Sequence, residues 1–256
     1  MVYVILAGAS GRTGREIARA AVQAEDIQVL GAIGEKSAGK DLGAVIGLGA
    51  LGTPVVSDPG TLDAPPGTVW IDFTRASAAR IHVPRALRRR WHAVVGTTGL
   101  TPDDLAEFAQ AADEGETAAA VIANFSLGAV LSQRLAALAF GVFPHAEIVE
   151  LHGSHKLDRP SATATALAAD LALQGSDTED EPPHIPIHSV RLPGLVAHQE
   201  VLFGGAGESV TIRHDVYGRD AYVAGTLATV RRIAQFRGLI TRLTDVWDGV
   251  PGRVQG

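Results

Sequence analysis

The opening of this chain constrains its fold more than any other stretch. Val2-Tyr3-Val4-Ile5-Leu6 is a continuous β-branched and apolar run, as expected of a strand buried on both faces of a parallel sheet. It leads straight into Ala7-Gly8-Ala9-Ser10-Gly11-Arg12-Thr13-Gly14, and a helical pattern follows through Glu16, Ile17, Ala18, Ala20, Ala21 and Val22. Strand, glycine turn and helix in that order are the context of a dinucleotide-binding fingerprint. Glycines at 8, 11 and 14 are a variant of the usual spacing with the same physical logic. The backbone can approach a pyrophosphate closely, and the N–H groups that start the helix neutralise its charge. Gly8, Ala9, Ser10, Gly11, Arg12 and Thr13 are therefore candidate cofactor-binding residues, and Arg12 can add a direct phosphate contact. Such turns also occur without a ligand; the place directly after a clean opening strand favours the cofactor.

More strand-then-helix units follow. Ile27 to Ile33 reads as a second strand ending at Gly34-Glu35-Lys36, where such a fold reads the adenosine ribose. Glu35 suits a free 2′-hydroxyl and Lys36 a 2′-phosphate, so both NADH and NADPH stay open. Gly39 to Gly52 reads as a loop, with Val55-Val56 entering a short strand. Val69 to Thr74 is a buried strand, and Ala76 to Arg90 a helix interrupted at Pro84 and ending in three solvated arginines. Ala93 to Gly99 is strand and turn, opening a helix over Pro102 to Ala112, and Val121 to Ser126 is one more strand. The pattern predicts a Rossmann-like, doubly wound parallel sheet. Its strand ends at Thr74, Gly96, Thr97, Thr98 and Asn124 would line the ligand crevice.

After Leu127 the pattern changes. Val130 to Phe140 is helical and Glu147 to Leu151 a strand; Ser176 to Pro183 reads as an acidic surface loop. His188 to Leu192, Gln199 to Phe203 and Ser209 to His214 alternate polar and apolar residues, the signature of a sheet with one face open to a partner. Residues 220–236 are helical again. The expected organisation is a dinucleotide-binding domain over residues 1–125, completed by residues 216–256. A second α+β domain with a mixed open sheet takes residues 126–215.

The chemistry concentrates in Glu150-Leu151-His152-Gly153-Ser154-His155-Lys156-Leu157-Asp158-Arg159-Pro160-Ser161-Ala162-Thr163. Ala164 to Leu171 continues as a helix, with Pro160 suited to its first turn and Asp158 or Ser161 to its cap. A helix N-terminus beside Lys156 is a receptor for a small carboxylate or phosphate. His152 or His155 can donate a proton near neutral pH. The same residues also fit a polar surface loop with no chemistry.

Composition excludes other classes. Cysteine is absent, which removes disulfides and thiolate catalysis. The nine histidines show no metal-ligand spacing, so no metal is expected. A net charge of −6 argues against nucleic acid as a partner. No 18-residue apolar run and no basic leader are present, so a cytoplasmic protein away from membranes is expected.

Taken in order, several segments resemble the 4-hydroxy-tetrahydrodipicolinate reductase (dihydrodipicolinate reductase) family of the diaminopimelate–lysine pathway. They are Gly8 to Gly14, Ile71-Asp72-Phe73-Thr74, Val95 to Gly99, Ala123-Asn124-Phe125-Ser126-Leu127-Gly128, the Glu150 to Thr163 stretch, Ser189 to Gly194, His198 to Gly204, Glu208 and Arg213-His214-Asp215. The resemblance implies an NADH- or NADPH-dependent oxidoreductase. It would reduce the cyclic unsaturated imine formed from 4-hydroxy-tetrahydrodipicolinate to tetrahydrodipicolinate. It also implies a homotetramer assembled through the second domain, which binds a small dicarboxylate-like substrate. His152 would be the general acid and Lys156 its partner. Ser161, Thr163 and the N–H of Ala162 would hold a substrate carboxylate, and Ala123, Asn124 and Phe125 would join the cofactor site.

Two positions depart from the family pattern: Gly153 replaces a substrate-binding histidine, and Ala162 replaces a glycine. If the substrate is unchanged, restoring the histidine at 153 is expected to tighten its binding by about 1.5–3 kcal/mol. The departures also keep open a paralogous imine or enamine reductase on a different cyclic acid. A cofactor-binding scaffold with little turnover is a third reading, disfavoured by the retention of His152 with Lys156.

Overall fold

The computed structural model describes residues 1–175 and 184–247; the acidic segment 176–183 lies outside the described residues. The chain forms two compact units, Met1–Phe125 with the chain from Tyr222 onward, and Ser126–Ala221.

The first unit begins with β1 (Val2–Ala7), α1 (Arg12–Gln23), β2 (Ile27–Ile33), α2 (Leu42–Ile46) and β3 (Val55–Val56). It continues through β4 (Val69–Asp72), α3 (Ala76–Arg88), β5 (His92–Val95), α4 (Pro102–Glu114) and β6 (Ala118–Val121). Residues of α1 that recur at helical spacing, Gly14, Ile17, Ala18 and Ala21, are its buried face. A reciprocal cap starts α4: the Thr101 hydroxyl accepts from the Asp104 amide at 3.3 Å, and the Asp104 carboxylate accepts from the Thr101 amide at 2.6 Å.

The second unit holds α5 (Leu127–Phe140), β7 (His145–His152), α6 (Ala162–Gly175), β8 (Ile187–Arg191), β9 (Ala197–Gly205) and β10 (Glu208–Val216). Its four-stranded sheet runs β10-β9-β7-β8. β9 is antiparallel to both neighbours and β8 is parallel to β7, so the sheet is mixed. Phe140, Ile148, Leu167, Leu171, Val201 and Phe203 form its core.

The chain then returns to the first unit as α7 (Val223–Arg232), β11 (Gly238–Ile240) and α8 (Leu243–Val246). β11 pairs with β6 and completes a seven-stranded, all-parallel sheet ordered β11-β6-β5-β4-β1-β2-β3. Trp70, Trp91 and Phe108 fill the core of this unit.

Four local expectations change. The strand expected from Val121 onward is β6, at Ala118–Val121. Alanine carries little strand preference, but the wholly buried Ala118, Ala119 and Ala120 fit a central strand packed on both faces. Gly39 to Gly52 is not all loop: the Asp41 carboxylate accepts from the Gly43 and Ala44 amides, and Gly47 at φ +82° closes the short α2. Pro84 lies within α3, which continues to Arg88. The helix expected over 220–236 is α7 flanked by short 3₁₀ turns.

Candidate functional site

In the first unit two of the three turn glycines, Gly8 and Gly14, are required by packing. Gly8 has φ +88°, and a Cβ there would lie 2.4 Å from the Phe73 carbonyl oxygen. A Cβ on Gly14 would lie 2.2 Å from the Gly8 carbonyl oxygen, so α1 sits directly against the turn. The Gly11 amide donates to Gly8 at 2.9 Å and closes that turn. No side chain caps α1 and no acidic residue occupies its first turn, which suits an anion at its N-terminus. Ser10, Gly11 and Arg12 are exposed there, Thr13 is half-buried and Ala9 is buried. Glu35 and Lys36 follow β2 in an exposed 3₁₀ turn. A glycine turn packed closely on the helix start, with no capping side chain and no acidic residue there, fits a dinucleotide.

Asp72, at the end of β4, organises the neighbouring strand ends. Its wholly buried carboxylate accepts from the Thr74 amide at 3.0 Å, the Thr74 hydroxyl at 2.6 Å, the Thr97 hydroxyl at 2.7 Å and the Trp70 indole at 3.0 Å. The Thr97 side chain is therefore turned inward, while Thr98 is exposed. A Cβ on Gly96 would collide with the Phe73 ring, which in turn packs against Phe125, 5.7 Å between centroids. Phe125 is buried, Asn124 half-buried and Ala123 exposed. The sequence alone did not single out Asp72; its signal was a lone carboxylate ending a buried apolar strand.

In the second unit, His152 is the last residue of β7 and Glu150 lies two residues before it on the same side of the strand. His152 Nδ1 and Glu150 Oε2 are 2.5 Å apart. Parallel pairing sets Glu150 beside Ser189 and His152 beside Arg191. The Arg191 guanidinium meets the carboxylate as a fork, at 2.9 Å from Nη1 and 2.8 Å from Nη2. Burial alone would raise the Glu150 pKa, but hydrogen bonds from Arg191, Ser189 and His152 bring it below the ordinary carboxylate value. Burial holds the His152 imidazole below the ordinary histidine value; Glu150 opposes that shift, and Lys156 and Arg191 add to it.

Between His152 and α6 the chain makes a tight turn, with the Lys156 amide donating to the Gly153 carbonyl at 3.0 Å. The Lys156 ammonium pairs with Asp158 at 2.8 Å, so Asp158 does not cap the helix. Ser161 does: its buried hydroxyl accepts from the Ala164 amide at 3.3 Å. α6 then starts at Ala162, so Pro160 precedes the cap instead of entering the first turn. Ala162 is exposed and Thr163 half-buried at that N-terminus. Among the candidates, His152, Lys156 and the start of α6 share one loop. Exposed His155 instead lies over Gly153, where an added Cβ would meet its ring at 2.7 Å and the Leu195 carbonyl at 3.0 Å. A histidine at 153 would therefore have to swing the exposed His155 ring aside.

Family profiles described as dihydrodipicolinate reductase, N-terminus and C-terminus, match residues 2–125 and 127–247. A 4-hydroxy-tetrahydrodipicolinate reductase of Rippkaea orientalis is 39% identical over 272 residues, covering 96% of this chain and 98% of the relative. That of Moorella thermoacetica is 38% identical over 260 residues, covering 96% and 97%. Among solved structures, a dipicolinate-bound dihydrodipicolinate reductase from Paenisporosarcina sp. TG-14 aligns with TM-score 0.77 at 31% identity, covering 96% of this chain and all of that one. With both halves matched in order and the glycine turn and the His152 loop in place, this chain belongs to the dihydrodipicolinate reductase family.

Proposed function

We propose that this oxidoreductase reduces the cyclic unsaturated imine formed from 4-hydroxy-tetrahydrodipicolinate to tetrahydrodipicolinate, in lysine and diaminopimelate biosynthesis. The observation that carries this reading is the His152–Glu150 pair followed, within one loop, by Lys156 and the N-terminus of α6. The first unit is read as the dinucleotide-binding domain, with Gly8 to Thr13, Glu35, Lys36, Gly96 to Thr98 and Ala123 to Phe125 around the cofactor. When bound, the nicotinamide supplies a hydride. Electron density then moves into the conjugated imine, and the resulting anion takes a proton from Nε2 of His152 in its imidazolium form, because Nδ1 is engaged by Glu150. Lys156 leaves Asp158 for a substrate carboxylate. The amides and hydroxyls of Ser161, Ala162 and Thr163 hold that carboxylate at the helix start. The dipicolinate bound by the Paenisporosarcina relative is a ligand of this dicarboxylate class.

Glu35 favours a ribose diol while Lys36 and Arg12 tolerate a phosphate, so NADH and NADPH should both serve, within about tenfold of each other. We assign a cytoplasmic homotetramer in which the sheet face of the second unit turned away from its helices is shared between copies. No helix among the described residues is long and apolar enough to cross a membrane. The decisive assay follows NADH and NADPH oxidation by the purified chain with the freshly formed lysine-pathway imine. No turnover with either cofactor would remove the substrate assignment, and a hundredfold preference would show that only one of Glu35 and Lys36 reads the ribose. Mass measurement in solution tests the tetramer.

A further inference from the structure

Reading His152 as the proton donor leaves two buried charges beside it unaccounted for. The side chains of Glu150 and Arg191 are 0% and 1% exposed. A buried ion pair of this kind adds little stability over apolar residues of the same size, so stability is a weak reason for it. We propose that Glu150 and Arg191 are positioning residues for the reduction. Glu150 keeps the resting proton of His152 on Nδ1 and leaves Nε2 to the substrate, and Arg191 clamps the loop that carries Lys156.

An ionised carboxylate only accepts, so the 2.5 Å contact requires a proton on His152 Nδ1. The imidazole is then fixed in one tautomer, with Nε2 as the atom that exchanges protons. Arg191 uses its whole fork. Nη1 donates to Glu150 Oε2 at 2.9 Å and to the Val190 carbonyl at 2.7 Å, and Nη2 to Glu150 Oε1 at 2.8 Å and to the Asp158 carbonyl at 2.6 Å. Nε donates to the Lys156 carbonyl at 3.2 Å. One guanidinium thus ties the carboxylate that orients the imidazole to two carbonyls of the loop that bears the lysine. A lysine, with three donors and no plane, cannot make that set. The charged groups facing His152 are Glu150 from its own strand, Arg191 from β8 and Lys156 from the loop. On the β9 side its register partner is Ala197, which carries no charge.

This inference rests on His152 being the donor, and the test separates the two claims. Turnover of the imine is measured against pH for the full chain and for His152→Ala, Glu150→Gln, Glu150→Asp and Arg191→Lys. ¹⁵N NMR of the labelled imidazoles reads the tautomer without any turnover. Glu150→Gln should lower turnover on the order of 10–100-fold and move the alkaline limb of the profile down by about one pH unit or more. Glu150→Asp should recover part of both. Arg191→Lys should raise the KM for the imine several-fold with a smaller movement of the limb. The unsubstituted chain should show His152 protonated on Nδ1 above its pKa. A proton on Nε2 overturns the inference, as does an unmoved limb in both Glu150 variants. If Glu150→Gln fails to fold around the unpaired Arg191, the tautomer and the Glu150→Asp profile decide. If His152→Ala keeps its turnover, the donor assignment fails instead, and the NMR result stands apart from it.

Discussion

At the scale of single residues, His152 and Lys156 owe their character to partners two residues away, Glu150 and Asp158, and to Arg191 brought in from β8. Replacing His152 with alanine should cut turnover by about 10²–10⁴-fold, the usual worth of a general acid, with cofactor affinity nearly unchanged. Near-normal turnover would move the role to another group, and His155 is the adjacent one. Lys156→Ala should lower turnover and substrate affinity together, since its ammonium pairs with the exposed Asp158 in the free protein. Normal kinetics with a lowered melting temperature would make that lysine structural. Gly153→His has to swing the exposed His155 ring aside and ease past the Leu195 carbonyl, so stability should fall by about 1 kcal/mol or less. With the dicarboxylate imine as substrate its KM should fall about tenfold or more, and an unchanged KM would show that the added imidazole does not reach the carboxylate.

At the scale of elements, the opening strand, turn and helix act as one piece because each glycine is contacted by backbone. Gly14→Ala would place a methyl 2.2 Å from the Gly8 carbonyl and push α1 off the turn. The expected result is a loss of about 1–3 kcal/mol in stability and weaker cofactor binding by tenfold or more. Melting with and without NADH, together with a cofactor titration, checks it; unchanged affinity would show that the turn does not hold the pyrophosphate. This element was legible in the sequence because its constraint is local: a strand, a left-handed glycine and a helix start within a few residues. β6 and α2 were less legible. Three alanines form a strand only when the space around them is already filled, and α2 is too short to show a period.

At the scale of the whole molecule, stability should depend on pH in two stages. Burial lowers the pKa values of His82, His92, His152 and His214 below the ordinary 6.5. Each takes a proton more readily in the unfolded chain. Their contribution is therefore complete above about pH 6.5 and is lost as the pH falls through the depressed folded values. His92 has a structural reason to resist protonation, since its Nδ1 accepts from the Ala118 amide at 3.1 Å and joins β5 to β6. A second stage belongs to carboxylates with lowered pKa values, among them Asp26, paired with Arg231, and Glu150. Their contribution is present above the ordinary carboxylate values and is lost as acid carries the pH through the lower folded ones. Melting temperatures should hold above about pH 7 and fall in the first stage by about pH 5.5; a flat curve across that range would contradict the histidine burial.

The sequence by itself determined the opening turn, the alternation of strand and helix, the strands of the second sheet and the loop that carries His152, Lys156 and Ser161. Each is written in contiguous residues whose backbone or periodicity has few alternatives. Only the tertiary structure decided which groups surround them. Glu150 and Arg191 lie 41 residues apart and meet because β7 and β8 pair in one parallel register. Asp72 gathers Thr74 and Thr97 because β4 and β5 end side by side, and β11 reaches β6 only after the chain has built the second unit. Register is selected by burial summed over a whole sheet, and a buried charge is tolerated only where its partners converge. Neither condition is visible in any short stretch of the chain.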